Sequence, residues 1–305
     1  MLNAAMTQHP TPQNWLSIFA LGLIWGGTFM IVGLALDGYG PLTVACARTS
    51  LGALAMLGLM AAMRRPLPSR NTLPHLAIIG VTNTALPFAL LSWGQQFVPS
   101  AFAGLSMAAL PLFVLPLAHV FSDERLSLRK TMGVMVGFIG ALVLIGPGVL
   151  RLGTGMEPLG QLACLAATFS YACASVLTRR CPPIDPISMT AATLLVGAGC
   201  LIPAMLWFEG VPTPSGTGAD WAILFLGFVP TALAALLRVL VIRSAGSTFM
   251  TLVNFQVPVW SVVFGTMVMG EVLPTTFFAA LALILSGLFV SQGPAILRHL
   301  RQAAD

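Results

Sequence analysis

The chain has 305 residues, of which 57% are hydrophobic and only 8% are charged, whereas soluble domains carry roughly 25% charged residues. Because so few charged residues cannot cover a surface in water, the composition excludes an ordinary soluble protein. It predicts a protein whose surface faces lipid. The net charge of +5 comes from short basic clusters between apolar stretches, a pattern that controls membrane topology and does not indicate nucleic-acid binding.

Ten apolar stretches are each long enough for a helix that spans a bilayer, which takes ~20 residues. In chain order they cover residues 15–36, 42–63, 73–93, 101–122, 128–145, 159–178, 187–208, 221–242, 248–269 and 275–292. Their apolarity is continuous, whereas the strands of a membrane barrel would alternate. The predicted fold class is therefore an all-α integral membrane protein with ten transmembrane helices, the first of them retained and not cleaved as a signal.

The basic residues indicate the orientation. With one exception, the basic residues between or after these helices fall on one side: Arg64, Arg65, Arg70, Arg125, Arg129, Lys130, Arg179, Arg180, Arg243, Arg298 and Arg301. The exception on the other side is Arg151. The positive-inside rule then places both termini in the cytoplasm, with the protein in the inner membrane.

An internal repeat divides the chain. Residues 100–147 align without gaps onto residues 247–294 at an offset of 147, so that Pro111 meets Pro258 and Glu124 meets Glu271. Earlier helices match more weakly at offsets of 145 to 147. We expect a first five-helix unit over residues 1–148 and a second over residues 149–305. Because each unit has an odd number of helices, the second is inverted, as in many transporters.

Three motifs carry a family resemblance. They are Trp25-Gly26-Gly27-Thr28-Phe29, Ala47-Arg48-Thr49-Ser50-Leu51-Gly52, and Glu124-Arg125-Leu126-Ser127 followed by Gly133, Gly137 and Gly140. Together with the repeat, they resemble the drug/metabolite transporter superfamily in its form with two EamA-type units. The resemblance implies secondary transport of small metabolites through a central cavity lined mainly by helices 1, 3, 4, 6, 8 and 9. The second unit departs from it, with Ser170-Tyr171-Ala172 in place of Trp-Gly and Thr193 in place of Arg48.

Three amides are the best polar candidates for binding a substrate. Asn83 lies on helix 3, and Asn254 and Gln256 lie on helix 9, both of which the resemblance places at the cavity. An amide offers donors and acceptors, which suits a zwitterion. The alternative is that these side chains only join helices to one another.

Aromatic side chains and one methionine could form an apolar substrate surface. The candidates are Trp25, Phe88, Met107, Tyr171 and Trp260. The alternative is ordinary helix packing or an interfacial belt.

Two titratable residues within the spans have a possible role. Arg48 on helix 2 could meet a substrate carboxylate, or it could pair with carbonyls or extend to the interface. His119 on helix 4 could carry protons near its ordinary pKa of ~6.5, or it could be a packing residue. No Asp or Glu lies near the centre of any predicted span, so no carboxylate proton relay is visible.

Pro111 and Pro258 occupy equivalent places in the two units. Each removes a backbone hydrogen bond, so the pair could act as hinges or as static kinks. The glycines of helices 5 and 10 suit close packing, within a monomer or between the copies of a homodimer.

The favoured function is a secondary transporter that exports small organic metabolites, above all apolar or aromatic amino acids. The alternatives are export of other metabolites or lipophilic drugs, and a membrane enzyme. An enzyme is disfavoured because no catalytic motif or paired carboxylates appear. No spacing of Cys and His suggests a metal, and no cofactor is expected; the partners are a small-molecule substrate and the lipid bilayer.

Overall fold

The computed structural model describes residues 10–121, 127–146 and 155–302. Glu124, Arg125 and Leu126 of the third motif lie outside these ranges, as does Arg151. The described residues form helices joined by short loops, and no strand occurs among them. The α-helices are α1 Pro12–Leu36, α2 Pro41–Ala62, α3 Leu73–Gly80, α4 Leu86–Gly94, α5 Ser100–Met107, α6 Leu110–Phe121, α7 Leu128–Ile145, α8 Glu157–Arg180, α9 Pro186–Phe208, α10 Gly218–Leu226, α11 Ala234–Met250, α12 Val253–Met267 and α13 Thr275–Gln302.

The protein is a multi-pass membrane protein. Within the described residues, eight helical segments are long and apolar enough to cross a membrane: Pro12–Leu36, Pro41–Ala62, Arg70–Gly94, Ser100–Phe121, Glu157–Arg180, Pro186–Phe208, Gly218–Gly246 and Thr275–Gly293. They coincide with predicted helices 1–4, 6–8 and 10. The remaining predicted spans correspond to α7, of 18 residues, and to α12, of 15. The count of ten and the inverted repeat stay predictions.

Two predicted helices are divided by π-helical turns, which the sequence analysis did not predict. Helix 3 consists of α3 and α4 with the π-helical segment Val81–Ala85 between them. Helix 8 consists of α10 and α11 with the π-helical segment Gly227–Leu233 between them. At the repeat offset of 147, residue 81 meets residue 228, so the two irregular segments occupy equivalent places.

Predicted helix 4 is also divided, at residues 108–109 between α5 and α6. The reason is local: Pro111 has no N–H to donate to the carbonyl of Met107, four residues earlier, and its ring displaces that carbonyl. α5 accordingly ends at Met107.

Predicted helix 9, over residues 248–269, is not one continuous helix: a turn at residues 251–252 divides it, and α12 covers Val253–Met267. A second interruption lies just before the predicted range, at Gly246, whose φ of 87° and ψ of 161° lie outside the helical region. Only glycine adopts such a φ readily.

α2 and α9 pack along each other in opposite directions. Glu209, at the end of α9, accepts hydrogen bonds from the N–H groups of Leu42 (2.8 Å) and Thr43 (2.7 Å) at the start of α2. At the other end, Ser188 near the start of α9 donates through Oγ to the carbonyl of Pro66, 2.7 Å away, just after α2.

Matched glycines of α2 and α9 lie against the two π-helical segments. A Cβ on Gly52 of α2 would lie 2.5 Å from Cγ2 of Thr231, and a Cβ on Gly197 of α9 would collide with Oγ1 of Thr84. Gly52 matches Gly197 at an offset of 145, and Thr84 matches Thr231 at an offset of 147. Each of these glycines therefore lets one helix approach the π-helical segment of the other half.

The glycines of α7 and α13 pack those two helices against each other. A Cβ on Gly133 would lie 2.6 Å from the carbonyl oxygen of Gly287, and a Cβ on Gly287 would lie 2.5 Å from that of Gly133. A Cβ on Gly140 would lie 2.8 Å from Cγ1 of Ile284. These glycines are thus occupied inside the chain, so they do not offer a free face for a dimer.

Candidate substrate site

The two π-helical segments lie in the middle of their spans, and their irregular backbone is supported by side chains. Pro230 has no N–H for the carbonyl of Leu226, and the Thr231 hydroxyl donates to that carbonyl instead, at 2.7 Å. In the other segment, Thr84 Oγ1 donates to the carbonyls of Gly80 and, at 3.2 Å, Thr193. Non-α backbone inside a membrane needs such partners, and π-helical turns occur frequently at functional sites.

Each segment also receives a hydrogen bond from the first helix of the opposite half. Trp25 of α1 donates through Nε1 to the carbonyl of Pro230, at 3.3 Å. Ser170 of α8 donates through Oγ to the carbonyl of Thr82, at 2.7 Å. Trp25 and Ser170 match at the offset of 145, so the departure of the second unit from the tryptophan motif keeps the donor and loses the ring.

Arg48 is buried beside one of these segments. Its side chain is only 5% exposed, and its guanidinium lies 4.0 Å from the centroid of the Phe88 ring. Nε has no hydrogen-bond partner among the described residues. The guanidinium is therefore enclosed by neighbouring helices, whereas Arg238 of α11 is exposed.

Aromatic and apolar groups surround this arginine. Phe88 and Ala85 belong to a buried cluster with Cys46 of α2, and Tyr171 of α8 packs against it. The structure therefore brings together three sequence-predicted residues from α2, α4 and α8.

Three further predicted residues lie near this group. Asn83 is half-buried within the segment Val81–Ala85, next to Thr82 and Thr84. Trp25, Met107 and Tyr171 all pack against one buried cluster that contains residues of α1, α5, α8 and α12. Met107 Sδ lies 3.8 Å from Oγ1 of Thr168, one turn before Tyr171 on α8.

Gln256 and Trp260 are placed differently. A Cβ on Gly22 of α1 would lie 2.5 Å from Oε1 of Gln256, and a Cβ on Gly26 would collide with Cβ of Trp260. The Trp260 ring lies edge-on to Phe19, with 5.6 Å between centroids, and Phe19 is exposed. Both residues thus pack α12 on α1. Asn254 is half-buried in the first turn of α12.

The paired prolines do not have equivalent surroundings. Pro111 follows the break at residues 108–109, whereas Pro258 lies inside the continuous helix α12. Both are buried. His119 is exposed in the last turn of α6, away from the interior of the bundle.

Two carboxylates were not among the predicted residues. Glu271 accepts hydrogen bonds from the N–H groups of Ser100 (2.6 Å) and Ala101 (3.0 Å) at the start of α5. Glu209 does the same for α2 and also accepts from Thr43 Oγ1, at 2.7 Å. A carboxylate at a helix N-terminus is stabilised by the unpaired N–H groups there. Each contact joins the second half to the first, and no signal within a single helix could reveal it.

At the opposite end of α2 and α9, a third carboxylate joins basic residues. Asp185 lies 3.6 Å from Arg65 and 3.2 Å from Arg243. Partial burial alone would raise the pKa of Asp185, but N–H groups of Ser188 and Ile187 and the two arginines outweigh it, so the pKa lies below its usual range. Loops predicted to share one side of the membrane thus meet at one end of the bundle.

Comparisons with known proteins give the family and the fold of this chain. The chain matches the EamA-like transporter family twice, over residues 14–146 and over residues 158–292. A solved crystal structure superposes with a TM-score of 0.66 at 20% identity, covering 93% of this chain and 98% of that one, which shows a shared fold.

Among curated proteins, the relatives are named as transporters. The chain is 26% identical to the uncharacterized transporter YoaV of Bacillus subtilis, covering 90% of this chain and 95% of that protein. It is 25% identical to the uncharacterized inner membrane transporter YedA of Escherichia coli, with 88% and 87% covered. It is 27% identical to a protein of Streptantibioticus cattleyicolor named a probable terminal-alkyne amino-acid exporter, with 87% and 89% covered.

Proposed function

We propose, from the premise that this chain belongs to the EamA-like transporter family, that it is a secondary transporter that exports apolar or aromatic amino acids by alternating access. Membership in the family makes it a membrane transporter. The substrate class, the direction and the mechanism are our proposal.

The observation that carries the mechanism is the pair of cross-half hydrogen bonds on the π-helical segments. Trp25 holds the segment of the second half, and Ser170 holds that of the first. The two halves are thus joined by hydrogen bonds at matched segments of irregular backbone, and one half can rock against the other about these contacts. Transporters of this kind bind substrate at discontinuous helices near the middle of the membrane. We therefore take the ten-helix inverted repeat, with units over residues 1–148 and 149–305, as the architecture.

The side chains near these segments favour an amino acid with an apolar side chain. Phe88, Tyr171, Trp25 and Met107 supply aromatic and polarizable surface, to which apolar groups bind. Asn83 and the π-helical carbonyls supply polar groups for the charged ends. The relative named as an amino-acid exporter supports the same substrate class. The relative named as an inner membrane transporter supports a location of this chain in the inner membrane.

Counterflow in liposomes tests this function. Purified full-length protein is reconstituted into liposomes preloaded with one amino acid, and uptake of the same labelled amino acid is followed, with and without a proton gradient. We expect saturable counterflow with phenylalanine, leucine or methionine. Absence of counterflow with all twenty amino acids would overturn the amino-acid proposal, and counterflow with other metabolites or lipophilic drugs would replace it.

The orientation is tested separately. We place the basic end with Arg65 and Arg243 in the cytoplasm, by the positive-inside rule. Single cysteines at position 67, in the loop after α2, and at position 213, in the loop after α9, are labelled with an impermeant maleimide in intact cells of a variant without its native cysteines. We expect labelling at position 213 only, and labelling at position 67 only would reverse the topology.

A further inference from the structure

We propose that Arg48 binds the carboxylate of the transported solute, so that an organic carboxylate is a required part of the substrate. This inference rests on the proposed transport function and narrows it. It begins from the buried guanidinium of α2, which is 5% exposed and whose Nε has no hydrogen-bond partner among the described residues.

Arg48 has no acidic side chain near the centre of any predicted span to neutralise its charge. A charged side chain inside a membrane protein is costly unless it is paired. The acidic residues that the structure describes are Asp37, Glu157, Asp185, Glu209, Asp220 and Glu271, all at the ends of helices or in loops. Those outside the described ranges, Asp123, Glu124 and Asp305, lie between predicted spans or at the C-terminus. Hence no span offers a carboxylate near its centre, and a ligand is the remaining source of one.

The guanidinium of Arg48 is stacked on an aromatic ring. Phe88 lies 4.0 Å from its central carbon and covers one face of the plane. The ring does not cover the edge of the plane, and the buried Nε–H on that edge has no partner among the described residues, so this edge is where we place the ligand. That edge presents two parallel donors, which match the two oxygens of a carboxylate.

The surroundings of Arg48 suit a solute that carries an apolar group beside its carboxylate. Arg48 lies against the ring of Phe88, and Tyr171 packs against the buried cluster that contains Phe88 and Ala85 of the segment Val81–Ala85. A solute with a carboxylate on Arg48 would place its apolar part on those rings. Thr193 occupies the matching position of the second half and donates instead to the carbonyl of Thr190, at 3.1 Å. The binding of an anion is therefore confined to one half.

The first test uses ligand binding to wild-type protein. Thermal unfolding of the detergent-purified full chain is measured with L-phenylalanine, 3-phenylpropanoate, L-phenylalaninamide, sodium chloride and sodium phosphate. We expect both carboxylates to raise the midpoint and the amide not to. Equal stabilisation by the amide, no stabilisation by either carboxylate, or equal stabilisation by chloride or phosphate would each overturn the inference.

The second test uses variants. Arg48→Lys keeps the charge but loses the two-donor edge, and Arg48→Gln loses both; Arg238→Gln removes the exposed arginine of α11 as a control. Hydrogen bonds to charged groups are strong enough that we expect affinity for 3-phenylpropanoate to fall about 10- to 100-fold in Arg48→Gln, less in Arg48→Lys, and not in Arg238→Gln. Unchanged carboxylate affinity in a folded Arg48→Gln variant would contradict the assignment.

The two proposals fail in different ways. Binding of carboxylates without counterflow in liposomes would overturn the transport function and leave the Arg48 site intact. Counterflow of amino acids that the amide inhibits as strongly as the acid does would leave transport intact and overturn the role of Arg48.

Discussion

The first half of the chain carries Arg48 on α2, and the second half carries Thr193 at the matching position on α9. Both are buried, at 5% and 4% exposure. Thr193 is satisfied within its own helix and offers its carbonyl to Thr84, whereas Arg48 keeps an unpartnered Nε. In contrast, the glycines that pack α2 and α9 against the π-helical segments are matched. The halves therefore share the contacts that set the backbone and differ in the side chains available for binding.

The matched glycines offer the largest expected effect. Gly52→Ala would place a methyl group 2.5 Å from Cγ2 of Thr231, and overpacking of this kind costs typically about 1–3 kcal/mol. Gly197→Ala should cost a similar amount, because its Cβ would collide with Oγ1 of Thr84. The free energy of unfolding in mixed micelles, titrated with SDS and followed by far-ultraviolet circular dichroism, measures both.

Second-site substitutions sharpen this comparison. Thr231→Ser removes the contacting methyl group and should rescue Gly52→Ala, whereas Thr84→Ser retains the contacting oxygen and should not rescue Gly197→Ala. A Cβ on Gly58 of α2 or on Gly199 of α9 would meet nothing within 4 Å, so their alanine variants are the matched controls and should be no less stable than wild type. A large loss of stability in either control would show that alanine destabilises these helices for a reason other than the contacts with Thr231 and Thr84.

The carboxylates that stabilise helix N-termini come next. Glu209→Ala should lower the stability by about 1–2 kcal/mol, because three hydrogen bonds to α2 are lost. Glu271→Ala should cost somewhat less, because it loses two bonds to α5. Asp37→Ala, at an exposed residue of the same end, is the control. The same titration measures all three variants, and equal losses in all of them would rule out a specific capping role.

The cross-half hydrogen bonds have a smaller expected effect on stability. Trp25→Phe keeps an aromatic ring but loses the donor to Pro230, and Ser170→Ala loses the donor to Thr82. Each should cost about 1 kcal/mol. If these bonds join the halves during transport, both variants should also change the counterflow rate while amino-acid binding persists. Normal counterflow in both would confine the bonds to a structural role.

The ion pairs of Asp185 should have the smallest effect. Arg65→Gln and Arg243→Gln remove partly exposed partners, so each should cost below about 1 kcal/mol. Because the pKa of Asp185 is lowered on folding, its contribution is present above the unfolded pKa of about 3.9 and is lost as the pH falls through the folded value. Unfolding midpoints of wild type and Asp185→Asn between pH 3 and pH 7 should therefore converge at the acidic end; a constant difference would contradict this.

Much of the helical layout could be predicted from hydrophobicity and length. The prediction over residues 187–208 differs by one residue from α9, Pro186–Phe208, and that over residues 42–63 differs by one residue at each end from α2, Pro41–Ala62. The prediction of one helix over residues 248–269 missed the turn at residues 251–252, because hydropathy carries no information on backbone conformation. The grouping of Arg48, Phe88 and Tyr171 depends on three distant helices, and no pattern within one helix reports it.

The sequence by itself determined that this chain is helical and lies in a membrane. Its long apolar stretches belong in lipid, where every backbone N–H and C=O group must be paired within the protein, and a helix pairs them within a single stretch. Its internal matches also predicted which positions of the two halves correspond. Only the tertiary structure decided which of them touch: Trp25 meets Pro230 and Ser170 meets Thr82 across the halves. It also decided that Arg48 is buried against Phe88, because the exposure of a side chain on a helix is set by the neighbours that pack around it.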